Sequence, residues 1–503
     1  MTSTLRLYPI RVQFSSRVPR VRRNASTCPR CLQPDQRAFP AVRQTEYLRR
    51  FKQPSRTHLR SHSVASTNEQ LQSSPLAALS HKIGSRPAKR AANPSSFPST
   101  CSKSSAYWLL ASAGSVFGIV VFGGLTRLTE SGLSITEWRP VTGSLPPRDR
   151  EAWEEEFARY RRSPEFKMLN SRMNLEEFQQ IYWMEWTHRL WGRVVGVTFL
   201  LPTAYFIVRR RVSRPMAGRL VAICGLIGFQ GGLGWWMVKS GLKDDLLERG
   251  QHPRVSQYRL AAHLGTAFVA YLAMLYNGLS ILRERRLLRD PEQGMALAQS
   301  LQRPELRRFK RLVAGLAVLV FATAMSGALV AGLDAGLIYN DFPWMGQGLV
   351  PPTRELLDPF YSHTPDRTDL VWRNMLENPV LVQLDHRALA TTTFAAILAL
   401  WGYARFRRRV CTALPPESHK ALRGVVQLAC VQVALGISTL WYLVPTPLAA
   451  AHQAGALALL SGVCVLGVRL HVPARTLRIL ERRCSRHSPR KVGVSNMRPL
   501  QTK

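Results

Sequence analysis

A chain of 503 residues with 69 Lys and Arg against 31 Asp and Glu carries a formal charge of +38, and its length alone would allow several soluble domains. Its mean hydropathy of −0.09 averages polar ends with an apolar middle, and the basic residues fall in the first hundred positions, short loops and the tail, which argues against nucleic-acid binding. Eight scattered cysteines argue against a disulfide framework, and Cys28-Pro29-Arg30-Cys31 has no second pair to complete a zinc or redox site.

Residues 1–100 are rich in Arg and Ser, with Asp35, Glu46 and Glu69 as their only acids. This is the composition of a mitochondrial transit peptide; a basic tail on anionic lipid is the alternative. A bilayer-crossing helix needs roughly 20 predominantly apolar residues. The sequence predicts eight: 106–126, 187–208, 217–238, 260–282, 311–333, 386–405, 420–443 and 448–469. Loops at 209–219, 283–311 and 405–409 and the tail from 475 are strongly basic, whereas 127–186 mixes acids and bases. That bias puts both termini in the matrix and the segments 127–186 and 334–385 in the intermembrane space of a mitochondrial inner membrane.

The chain repeats itself. Gly123…Glu130-Ser131-Gly132-Leu133…Pro147 corresponds to Gly327…Asp334-Ala335-Gly336-Leu337…Pro351 at an offset of 204, and His188-Arg189 to His386-Arg387 at 198. Gln230…Gly234 pairs with Gln432…Gly436, and Ala262-His263 with Ala451-His452. The expected architecture is an all-α membrane protein of two tandem four-helix bundles, 106–282 and 311–470, joined by a matrix linker at 283–310 and followed by a basic tail at 471–503.

Of twelve histidines, only His188, His263, His386 and His452 lie inside apolar spans. They occupy spans 2, 4, 6 and 8 near their outward ends, so each half offers two imidazoles at matching depth, a geometry that can grip haem iron from both sides. A single intramembrane histidine is equally well explained by a hydrogen bond to a neighbouring helix. Four at corresponding positions favour ligation, and two histidines without cysteine or carboxylate make a poor zinc set. His252, His363, His419 and His471 fall in loops or at span ends, and His58, His62, His81 and His487 in the leader or tail.

The halves differ at one telling position: Glu185, three residues before His188, corresponds to Gln383. A carboxylate at the membrane interface can move protons beside a haem, or simply pair with Arg189 or Arg193. Arg127, Arg189, Arg193 and Arg387 are candidates for haem propionates, or else interface anchors. Trp183, Trp186 and Trp191 read as belt aromatics.

Several stretches resemble the haem A synthase family: GGLTRLTESGLSITEWRPVTGSLPP at 123–147, PEFKMLN at 164–170, IYWMEWTHRLWGR at 181–193, RLAAHLG at 259–265, GLDAGLIYNDFPWMG at 332–346, LDHRALA at 384–390 and AHQAGAL at 451–457. The resemblance implies oxidation of the C8 methyl of haem O to a formyl group by successive hydroxylations, for cytochrome c oxidase biogenesis. It implies a haem b cofactor on His386 and His452, haem O on His188 and His263, and Glu185 as the catalytic acid–base. It further implies a ferredoxin-type electron partner and encounters with haem O synthase and cytochrome c oxidase assembly factors, and leaves a homo-oligomer open. The cysteine pair that some bacterial members carry in an outward loop is absent here. With two imidazoles on the substrate iron, no coordination position remains for dioxygen, so water is the expected oxygen source. A two-haem electron carrier would explain the histidines but not the Glu185/Gln383 difference, and a transporter would need a path to both faces.

Overall fold

This computed structural model describes residues 97–139, 142–243 and 253–487. The leader through residue 96 with its Cys28–Cys31 pair, His252 and the tail beyond residue 487 lie outside them. Regular structure among the described residues is helical throughout, without strands. In chain order the helices are α1 (Lys103–Leu128), α2 (Arg150–Arg161), α3 (Pro164–Met168), α4 (Leu175–Val208), α5 (Arg214–Gly241), α6 (Gln257–Leu287), α7 (Pro291–Leu301) and α8 (Glu305–Gly332). After a segment of short turns come α9 (Leu370–Glu377), α10 (Pro379–Phe406), α11 (Pro416–Trp441), α12 (Thr446–Leu470) and α13 (Ala474–His487).

By length and composition, seven of the described helices can cross a membrane: α1, α4, α5, α6, α8, α11 and α12. The eighth expected span, 386–405, does form a helix, α10, but it is not among these seven. Asp385, Arg387 and the run Thr391-Thr392-Thr393 dilute its apolar stretch.

Helix α4 is longer than its apolar run. It has 34 residues, roughly 51 Å at 1.5 Å per residue, against a hydrocarbon core of roughly 30 Å. Its start is fixed by a reciprocal cap, in which the Glu177 amide donates to the Asn174 side chain at 2.9 Å and the Asn174 amide to the Glu177 carboxylate at 3.0 Å. The extra turns are covered by α2: Phe157 and Tyr160 stack on Phe178 at 5.0 and 5.2 Å, with Tyr182 completing the cluster. Glu185 and His188 therefore sit mid-helix, not at a helix start as the hydropathy alone places them.

Packing follows two circuits. In the first, α1 touches α4, α4 touches α5, α5 touches α6, and α6 returns to α1. In the second, α8 touches α10, α10 touches α11, α11 touches α12, and α12 returns to α8. Contacts of α6 with α8 and of α12 with α1 and α6 join them. Lipid gives helices no hydrophobic reason to associate, so close approach through small residues and interdigitation must hold them. At the α1–α6 seam a Cβ on Gly278 would stand 2.9 Å from the Leu110 side chain and 3.2 Å from the Ala106 carbonyl, which leaves no room for alanine. Helix α8 buries Leu306, Phe309, Val313, Leu316 and Val320, a three–four spacing that keeps one stripe facing its neighbours.

Candidate haem-binding site

Each of the four intramembrane histidines faces a glycine on an adjacent helix. A Cβ on Gly123 of α1 would lie 2.7 Å from Cε1 of His188, and one on Gly327 of α8 would lie 3.0 Å from Cε1 of His386. A Cβ on Gly234 of α5 would lie 3.2 Å from Cε1 of His263, and one on Gly436 of α11 would lie 2.9 Å from Cε1 of His452. The glycines are there because nothing larger fits against the imidazoles. They stood in the sequence as repeat partners, but only the coordinates give the reason.

His386 and His452 come together as one of the expected pairs. The His386 and His452 ring centres are 6.5 Å apart with planes at 89°. With metal–imidazole bonds of about 2.0 Å, two rings gripping one metal in a line have centres about 6 Å apart. His188 and His263 lie on α4 and α6 of the first circuit, each against its glycine. Their Nδ1 atoms are both buried without a partner. No group of three or more His, Cys, Asp or Glu suited to a bare metal ion occurs among the described residues; two imidazoles per half are a donor set that haem iron can accept.

The surroundings also correspond. The Gln230 amide donates to the His263 carbonyl at 2.7 Å, and the Gln432 amide to the His452 carbonyl at 2.9 Å. Arg189 donates to the carbonyls of Ile135 and Glu137 at 2.8 and 3.1 Å. Arg387 donates to those of Tyr339 and Asp341 at 2.8 and 2.9 Å, residues offset by the same 204 positions. Glu130 and Asp334, also offset by 204, both take the left-handed conformation at φ 51° beyond the ends of α1 and α8.

Against this sameness stands the expected difference. Glu185 is only 3% exposed, and both its oxygens are engaged. Oε2 accepts from the Ser134 hydroxyl and the Ile135 amide, each at 2.7 Å, while Oε1 accepts from Arg189 at 2.6 and 3.0 Å. Gln383, 2% exposed, donates to the Tyr339 carbonyl at 2.9 Å, and its own oxygen has no partner. Ser134 carries no sequence signal of its own and was legible only from the fold.

The arginines proposed for propionates are largely taken by protein. Arg127 pairs with Asp334 at 2.8 Å and with the Ala331 carbonyl at 3.2 Å, which ties the first circuit to the second. Arg193 donates to the Arg139 carbonyl at 2.9 Å. The Nε atoms of Arg127 and Arg387 and the indole nitrogen of Trp186 are buried donors without an acceptor. Trp183 is exposed as a belt residue would be, whereas Trp191 packs into α1 and donates to Ser115 at 3.0 Å.

Two further features lie beside these residues. A cavity of about 340 Å³ opens between α2 and α4, lined by Arg139, Arg159, Arg189 and Arg193 and by Glu137 and Glu156; none of the four histidines reaches it. Glu165, at the start of α3 in the PEFKMLN stretch, is buried and accepts from Tyr160 at 3.2 Å. Burial, reinforced by the neighbouring carboxylates of Glu185 and Glu130, pushes its carboxyl up to about 8.

Residues 106–464 match the family described as cytochrome oxidase assembly protein. The chain is 51% identical over 378 residues to the haem A synthase of Saccharomyces cerevisiae, which covers 75% of this chain and 77% of that protein. It is 48% identical over 355 residues to the haem A synthase of Homo sapiens, covering 71% and 80% respectively. A haem A synthase–mitochondrial ferredoxin fusion protein of Schizosaccharomyces pombe is 47% identical over 376 residues, 74% of this chain and 60% of the fusion.

Proposed function

We propose, from the premise that this chain belongs to the cytochrome oxidase assembly protein family, that its two histidine pairs divide the labour of a haem A synthase between a resident haem and a substrate haem. The enzyme is a multi-pass mitochondrial membrane protein acting on haem O. In our reading it lies in the inner membrane with both termini in the matrix, and α10 completes an eighth span. Residues 106–282 and 311–470 are then duplicated four-helix bundles, joined by the linker 283–310, with 1–100 as leader and 471–503 as matrix tail. The two packing circuits, the glycine–histidine pairs and the shared arginine bonds support the duplication.

The observation that carries the function is Glu185 against Gln383 within otherwise matching surroundings. His386 and His452 hold haem b; His188 and His263 hold the iron of haem O. Haem b supplies a one-electron redox couple. Turning a methyl group into a formyl group with oxygen from water releases four electrons, which an external electron acceptor must take, and four protons, so the substrate half needs a proton acceptor and the cofactor half does not. Glu185 takes a proton from the attacking water or the substrate carbon at whichever oxygen its partners release. Ser134, the Ile135 amide and Arg189 hold that carboxylate in one orientation. Arg189 also lines the polar cavity between α2 and α4. The orphaned donors of Arg127, Arg387 and Trp186 suit propionate oxygens. The fused ferredoxin of the Schizosaccharomyces pombe relative supports a ferredoxin as electron partner.

An electron carrier without catalysis of its own is not favoured, because the relatives are haem A synthases and such a carrier has no use for Glu185. The test is conversion of haem O by the purified protein, followed by pigment chromatography. Haem A should appear with the wild type, and Glu185→Gln should retain haem O unreacted. Equal conversion by both would remove Glu185 from the chemistry.

A further inference from the structure

The two imidazole pairs differ in how their second ring nitrogen is held. Ser326 Oγ lies 2.8 Å from Nδ1 of His386 and 2.8 Å from the Thr323 carbonyl. The hydroxyl has one proton, which goes to the carbonyl, so its lone pair accepts the Nδ1 proton. That network assigns the tautomer with Nε2 bare, the form in which an imidazole binds iron. The position corresponding to Ser326 at the 204 offset is Phe122. Phe122 stacks near His188 with ring centres 6.5 Å apart and planes 12° from parallel, and it offers Nδ1 no acceptor.

At the other member of each pair the two glutamines make the same bond, each amide donating to the carbonyl of its histidine. The Gln432 amide nitrogen lies 3.1 Å from Nδ1 of His452. As a donor it offers no acceptor to an Nδ1 proton there; in the first half the Thr266 hydroxyl donates to the Gln230 oxygen and Nδ1 of His263 has no partner. Thr266 corresponds to Gly455, where a Cβ would collide with the oxygen of Gln432. One exchange, Phe122 for Ser326, thus separates a buttressed imidazole from an unbuttressed one.

We infer that Ser326 is a positioning residue that makes the second site a permanent one, while Phe122 leaves His188 able to turn, so that the first site trades substrate for product. This rests on the reading that haem b occupies the second half and haem O the first. Partners of the non-ligating nitrogen fix ring orientation and raise ligand basicity, and losing one costs about 10- to 100-fold in metal retention. An enzyme whose cofactor and substrate are both porphyrins cannot tell them apart by ligand type alone, since all four ligands are histidine. The difference in hold lets one porphyrin leave and keeps the other.

The experiment measures pigment loss from the purified, fully loaded protein to excess apomyoglobin, with the released porphyrin identified by chromatography. Ser326→Ala should speed loss of haem b by about 10- to 100-fold and perturb its low-spin spectrum, and Ser326→Thr, which keeps a hydroxyl, should restore the slow rate. Phe122→Ser should slow loss of haem O and haem A while haem b loss stays unchanged. Unaltered haem b retention in Ser326→Ala overturns the inference. If Ser326→Ala instead hastens loss of the farnesylated porphyrin alone, the buttress stands and the assignment of halves is what fails.

Discussion

Arg189 grips the carboxylate of Glu185 from one turn further along α4, through two bonds of 2.6 and 3.0 Å to a single oxygen. The corresponding pair, Arg387 and Gln383, makes no such contact; instead both side chains donate to the Tyr339 carbonyl, at 2.8 and 2.9 Å. The same scaffold thus holds a charge in one half and only an amide in the other. Glu185→Gln keeps the shape and removes the charge. Haem content should stay at the wild-type level while haem A formation falls by at least about 100-fold, the scale of a lost acid–base group. Loss of both pigments together with activity would instead make Glu185 a structural residue.

The glycine cradles predict a separable pair of defects. Gly327→Ala pushes a methyl group to about 3 Å from the His386 ring and should lower bound haem b, with haem O binding little changed. Gly123→Ala presses harder on His188, at 2.7 Å, and should do the reverse. Pigment extraction from each purified variant checks both, and identical losses in the two variants would contradict the pairing.

Glu165 gives a pH dependence whose sign follows from its burial. Its carboxyl ionises near 4.5 when unfolded and is raised to about 8 in the fold, so the native state holds the proton more tightly. Below 4.5 both states are protonated and nothing is lost; between 4.5 and 8 unfolding releases the proton, and stability falls as pH rises. The groups facing it are Tyr160, Glu185, Glu130 and Arg127. Thermal unfolding of the wild type should drop in midpoint from pH 6 to pH 8, and Glu165→Gln should flatten that slope. Parallel curves would show that Glu165 does not titrate there.

The segment before α10 is locked by Asp369, which accepts from Ser362, Thr364 and the His363 amide at 2.6, 2.9 and 3.0 Å and from Arg373 at 2.6 Å. The Ser362 hydroxyl and these other partners hold its carboxyl well below the usual range. Asp369→Asn should loosen residues 358–378 and speed trypsin cleavage there several-fold. Cleavage in mitochondria only after the outer membrane is opened would place this segment in the intermembrane space; cleavage from the matrix side alone would reverse the orientation.

Much of this was legible in the chain because the histidines, Glu185 and the repeat offsets are properties of residue type and order. Hydropathy misplaced the start of α4, because the turns from Leu175 onward are stabilised by an aromatic cap from α2 and not by lipid. Hydropathy is weakest over 386–405, where Thr391, Thr392 and Thr393 interrupt the apolar run and Thr393 turns to Thr323 of α8. Ser134 and Ser326 escaped notice because a lone serine in an apolar run has no pattern; only the approach of another helix gives it a role. The arginines were readable as a cluster, but their actual partners are loop carbonyls and Asp334, which no spacing encodes.

Pigment analysis of purified His188→Ala and His386→Ala proteins tests the division between the halves most directly. His386→Ala should lose haem b, and His188→Ala should keep haem b while losing haem O. Haem b lost from His188→Ala and retained by His386→Ala would contradict it.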